Sequence, residues 1–145
     1  GNNDIPGIMT VNAAGTYLNR FGILPGKKII ISTNNDSAYD TALDLLNAGA
    51  EVSLLDSRSN VEKSILRKTL EKGLSLQLNS AILNARGFKS INSIQIATIH
   101  KGEWKENGKE ECDLLLVSGG WSPTLHLLSH RGIKPVWNDN NLCFS

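Results

Sequence analysis

The chain has 145 residues, 40% of them hydrophobic, enough to bury one ordinary core and too few for two. With 15 basic and 14 acidic side chains the formal net charge is +1, which leaves no electrostatic footprint for nucleic acid or an anionic membrane. No apolar run approaches the ~20 residues of a membrane span. The cysteines, Cys112 and Cys143, are too few for a disulfide framework and fit no metal-ligand spacing, which points to a reducing, cytoplasmic setting.

The lone methionine, Met9, follows GNNDIPGI, which has neither the basic start nor the apolar core of a signal peptide, so the chain reads as a segment excised from a longer one. Ile5-Pro6-Gly7 is a turn signal. A helix follows, started by Thr10 or Asn12 and ended by Gly22, with Val11, Ala14 and Leu18 on one face and Tyr17 and Phe21 forming a second apolar edge. This connecting segment, residues 1–26, carries no chemistry of its own.

Residues 27–56 have the outline of a βαβ unit. The β-branched run Ile29-Ile30-Ile31 after Pro25-Gly26 predicts a buried parallel strand. Asp36 or Ser37 caps the next helix, whose stripe is Ala38, Ala42, Leu45 and Leu46. A second strand, residues 51–55, delivers Asp56 at its end. In a dinucleotide-binding unit the helix N-terminus receives the pyrophosphate and such an acid, about 20 residues past the fingerprint, receives the ribose. The fingerprint itself, G-x-G-x-x-G, is replaced by Thr33-Asn34-Asn35-Asp36-Ser37-Ala38. Both turn glycines are missing, and Asp36 sets a negative charge beside the positive helix end. Asn34, Asn35 and Asp56 thus mark the place of a nucleotide pocket whose phosphate turn is altered.

Arg58 stands where a 2′-phosphate would be met, although Asp56 favours an unphosphorylated ribose. A third helix is expected over residues 61–72, with Val61, Ile65, Leu66 and Leu70 as its buried stripe and Gly73 as its stop. Residues 74–78 form the next parallel strand. Short strands then follow over residues 80–84 and 89–99, with Arg86-Gly87 turning between them. Asn107-Gly108 predicts a tight hairpin pairing residues 103–106 with 109–112.

The leucine run of residues 114–117 predicts a central buried strand ending in Ser118-Gly119-Gly120. In an open parallel sheet ligands lie beyond the carboxyl ends of the strands, so this turn is a candidate cofactor contact; the alternative is that two glycines make a sharp exit. Residues 123–128 start a last helix. The expected architecture is α/β, a Rossmann-like three-layer module with a central parallel sheet, helices on one face and an antiparallel β-meander on the other. It is a single module over residues 1–145, divided into 1–26, 27–79 (βαβαβ), 80–112 (meander) and 113–145 (last strand and exit).

No catalytic or metal site is assigned. His126 and His130 lie four apart but lack the glutamate of a metalloprotease pattern, Ser118 has no nucleophile-elbow frame, and Cys112 has no basic neighbour in sequence. Trp121 sits at the proposed ligand edge, placed to stack on a cofactor or cover an inter-domain seam.

This order of elements resembles the NAD-domain-like module of the two-dinucleotide-binding-domain flavoproteins, which include the disulfide reductases. The strings NDIPGIM (3–9), TYLNRFG (16–22), TNNDSAY (33–39) and VSGGWSPT (117–124) are similar to the alpha subunits of heterotetrameric sarcosine oxidases. The resemblance implies a much longer subunit with an NAD-binding domain and a folate-enzyme-like domain. It further implies oxidative demethylation of sarcosine at FAD on the beta subunit, electron transfer to a covalent FMN, and reduction of oxygen to hydrogen peroxide. On this module it implies that Ser118-Gly119-Gly120 approaches the ligand of a neighbouring domain, and that Asn34-Asn35-Asp36 belongs to an altered phosphate loop. The partners would be the other domains of the same subunit and the other subunits. Two further readings are a self-sufficient NAD-binding oxidoreductase domain and a ligand-free interaction module.

Overall fold

The computed structural model describes residues 2, 4–100, 102–121, 123–138 and 143–144. Strand β1 (Ile8–Thr10) leads into helix α1 (Val11–Phe21), where the Thr10 Oγ accepts a hydrogen bond from the Ala13 amide at 3.3 Å. The helix ends at Gly22, whose φ of 65° lets Gly22 N bond Leu18 O at 2.9 Å and Ile23 N bond Tyr17 O at 3.0 Å, a paired C-terminal closure. Then come β2 (Lys28–Thr33), α2 (Ser37–Asn47), β3 (Glu51–Asp56), α3 (Lys63–Glu71) and β4 (Ser75–Gln77). The meander is β5 (Ser80–Gly87), β6 (Ile91–His100) and β7 (Glu103–Glu111), followed by β8 (Leu114–Ser118), the short helix α4 (His126–His130) and the two-residue strands β9 (Trp137–Asn138) and β10 (Cys143–Phe144).

The main sheet has five strands in the order β1-β8-β2-β3-β4, and all its pairings are parallel. Strand β8 therefore inserts between β1 and β2, reached only after the chain has built the meander. Side-chain alternation explains the layers. Ile29, Ile31, Val52, Leu54, Leu114 and Leu116 pack into the helix-side core, whereas Ile30, Leu55 and Leu115 point the other way against Ala85, Ile94 and Ile96 of the meander. Covering both faces is why these strands read as unbroken apolar runs. Each such side chain contributes ~1.5–3 kcal/mol on burial. The Asp113 carboxylate accepts from the amides of Lys27 at 3.0 and 3.1 Å and Lys28 at 3.0 Å, so the start of β2 is held by the residue just before β8.

The three-layer expectation is met, with four local corrections. Strand β1 occupies an edge of the sheet where the sequence suggested only a turn. Asn107-Gly108 makes no hairpin: β7 runs straight through, pairing with β6 from His100↔Glu103 to Ser93↔Glu111, and Asn107 is accommodated by a register shift beside Gly108, whose φ is 132°. Pairing along the whole of β6 outweighs the local turn preference. Strand β5 continues through Arg86-Gly87, and the bend falls at residues 88–90. Helix α3 begins two residues later than expected and buries Thr69, while Leu70 is 68% exposed. Lys101, Ser122, and the side chains of Leu127, Leu128 and Cys143 lie outside the described residues. Among the described residues no helix is long and apolar enough to cross a membrane.

Candidate functional site

The parallel register brings the carboxyl ends of the strands level: Thr10 pairs with Val117, Thr33 with Ser118, and Thr33 with Asp56. All six residues singled out in the sequence, Asn34, Asn35, Asp56, Ser118, Gly119 and Gly120, consequently lie along one edge of the sheet. They fall into two linked groups.

The first group joins the β2–α2 turn to the exit of β8. Asn35 Nδ2 donates to the Ser118 Oγ at 3.0 Å and the Asn34 Oδ1 at 3.0 Å, while Asn35 Oδ1 accepts from the Ser37 amide at 3.1 Å and the Ser37 hydroxyl at 2.6 Å. Asn34 Nδ2 donates to the Gly119 carbonyl at 3.3 Å. Trp121 closes the end, its Nε1 donating to the Ser37 Oγ at 3.2 Å. The carboxamide of Asn35 thus satisfies an amide at the start of α2 that would otherwise meet an anion. Asp36, expected as a possible cap, makes no capping hydrogen bond.

The second group surrounds Asp56, which is fully buried. Its Oδ1 accepts from the Arg58 amide at 2.9 Å and Arg58 Nε at 3.1 Å; its Oδ2 accepts from Arg58 Nη2 at 2.8 Å and the Tyr39 hydroxyl at 2.8 Å. Arg58 Nη2 also reaches Asp36 Oδ1 at 2.7 Å. Burial, and then the bond to Asp56, push the Tyr39 phenol above its ordinary range. The bond to Asp56 is the chief reason that the Arg58 guanidinium is held still more firmly protonated, with burial opposing it. Sequence reasoning placed Arg58 near a phosphate and gave Tyr39 no role at the site. The ion pair to Asp36 spans elements that only the folded sheet brings together.

Within the βαβ unit, Asn35, Ser37 and Trp121 bond to one another at the start of α2, and Arg58 and Tyr39 occupy the Asp56 carboxylate. By contrast, Gly119 is exposed, with nothing within 4 Å of where a Cβ would project, and Gly120 has a φ of 100° that favours glycine. Among the described residues no group of three or more His, Cys, Asp or Glu side chains could hold a metal ion.

No protein-family model matches the chain. It is 34% identical over 140 residues to the sarcosine oxidase subunit alpha of Corynebacterium sp. (strain U-96), an alignment covering 94% of this chain and 14% of that protein. The chain matches one segment of sarcosine oxidase alpha subunits along nearly its whole length. The corresponding subunit of Rhizobium meliloti (strain 1021) is 35% identical, with 99% of this chain and 14% of that one covered. The chain thus spans about 14% of the length of these alpha subunits. Among solved structures, thioredoxin reductase from T. acidophilum superposes with a TM-score of 0.69 at 16% identity, covering 88% of this chain and 40% of that one. Lactococcus lactis thioredoxin reductase gives 0.67 at 19% identity, covering 89% and 41%. These likenesses establish the Rossmann-like fold of the reductases.

Proposed function

We propose that this chain is the NAD-domain-like module of a sarcosine oxidase alpha subunit, supporting NAD binding and subunit assembly rather than performing chemistry itself. The parent enzyme would oxidatively demethylate sarcosine in the cytoplasm, with FAD and FMN held elsewhere in the complex. Its partners are the other domains of the same subunit and the other subunits. One observation carries the reading: Gly119 offers bare backbone at the carboxyl edge, with open space where a side chain would lie. The module's own phosphate turn is meanwhile filled by Asn35, Ser37 and Trp121. A cofactor held mainly by a neighbouring domain can approach this edge; one threaded through the β2–α2 turn meets the Asp36 carboxylate.

The 68% exposure of Trp121 favours a second reading, in which the same edge is a ligand-free docking seam. Gly119→Val separates the two, because the added side chain meets nothing within this domain. In the full-length subunit the variant should release less NAD per purified complex than wild type, while the melting temperature of the domain stays unchanged. Wild-type nucleotide content with an intact domain would leave the docking seam as the function of this edge.

A further inference from the structure

We propose that Arg58 closes this module to nucleotide by standing, beside Asp56, in the place an adenosine ribose takes in a dinucleotide-binding βαβ unit. The proposal rests on the reading that the module holds no nucleotide of its own, and it names the group responsible. In that unit the acid at the end of the second strand recognises the ribose through its carboxylate oxygens. Asp56 holds that position at the end of β3, level with Thr33 at the end of β2. An ionised carboxylate offers about four acceptor sites. Here all are taken: the Arg58 amide and Nε on Oδ1, and Arg58 Nη2 and the Tyr39 hydroxyl on Oδ2. A ribose hydroxyl finds no free acceptor on Asp56 while Arg58 is in place.

The guanidinium blocks a second route as well. Its Nη2 reaches on to Asp36, tying the end of β3 to the residue before α2 and crossing the gap through which a nucleotide would run from ribose to phosphate. Asp56 is fully buried, whereas the Arg58 side chain is 31% exposed and the Asp36 side chain 51%, so the plug is anchored at its inner end and open to solvent at its outer one. A simple neutralising partner for a buried carboxylate needs only the inner contact; the outer one is what spans the site.

The test uses adenosine, which probes the ribose position without the phosphate that Asp36 would repel. Wild type, Arg58→Gln and Arg58→Ala are prepared as full-length subunit in its complex, and adenosine and 2′-deoxyadenosine are titrated by calorimetry with near-ultraviolet circular dichroism as the check on folding. Losing the guanidinium frees two acceptor sites on Asp56, one on each oxygen, and should give the variants an added adenosine site at least about tenfold tighter than anything wild type gains, since one net hydrogen bond is worth about that factor. The deoxy compound, which lacks the 2′-hydroxyl, should gain less than adenosine. Variants no tighter than an empty wild type, or an equal gain for the deoxy compound, overturn the role of Arg58 alone. Wild type that already binds adenosine with a 2′-hydroxyl preference abolished by Asp56→Asn overturns the underlying reading of an empty module. If neither variant yields a folded subunit, Arg58 is a structural cross-link and the proposal falls.

Discussion

Asn35 and Ser118, 83 positions apart, are joined side chain to side chain at 3.0 Å, and the same carboxamide accepts from the Ser37 amide at 3.1 Å. One residue therefore caps α2 and ties the β2–α2 turn to the exit of β8. Asn35→Ala removes both at once. We expect a loss of ~1–2 kcal/mol in a urea unfolding titration, the ordinary cost of an N-terminal cap. A loss below about 0.5 kcal/mol would mean that water replaces the carboxamide without penalty.

Gly26 carries a steric prediction. A Cβ there would lie 2.7 Å from the Leu114 Cβ and 2.8 Å from the Asp113 Oδ1, atoms fixed by β8 and by the carboxylate that holds β2. Gly26→Ala should cost ~1–3 kcal/mol by overpacking, read as a fall in the urea midpoint with an unchanged slope. Gly119→Ala, with open space around it, serves as the control.

Leu54 and Leu70 test which leucines hold the core. Leu54 is fully buried between the sheet and its helices, and Leu70 is 68% exposed on α3. Leu54→Ala should cost ~2–5 kcal/mol, while Leu70→Ala stays within about 0.5 kcal/mol. Equal costs would put Leu70 in the core after all.

That contrast shows what the sequence carries and what it does not. The runs at Ile29–Ile31 and Leu114–Leu116 are apolar at every position, so burial on both faces and a parallel sheet follow directly from them. In α3 the stripe read Val61, Ile65, Leu66, Leu70; Val61 is buried ahead of the helix, and the turn at its end brings Thr69 inward, where its hydroxyl donates to the Ile65 carbonyl at 2.8 Å. Strand β1 is three residues long and offers too little pattern for period counting. At the candidate site, the positions of Asn34, Asn35, Asp56 and Ser118–Gly120 were legible because strand ends and turns are marked locally. The pairings Asp36–Arg58 and Tyr39–Asp56 were not, because each joins elements whose proximity is a property of the sheet.

Cys112 supplies a test in pH. It is buried at the boundary between the meander and β8, and burial, with Asp113 and Glu110 adding to it and Lys28 opposing, pushes its thiol from an ordinary 9.0 to about 11. The folded protein therefore keeps this proton where the unfolded chain loses it. The stability contributed is fully present below pH 9.0, and it is lost as pH rises through that value towards 11. Only the thiolate attacks an alkylating reagent, and a thiol held at about 11 carries about 100-fold less of it at pH 8 than an exposed cysteine at 9.0. In a Cys143→Ser background, iodoacetamide labelling of the folded domain at pH 8 should be slower than labelling of the urea-unfolded chain by at least that factor. It should accelerate between pH 9.0 and 11, in step with a falling urea midpoint. Labelling of the folded domain at the unfolded rate would show that Cys112 is accessible, and that the seal between the meander and the parallel sheet opens under native conditions.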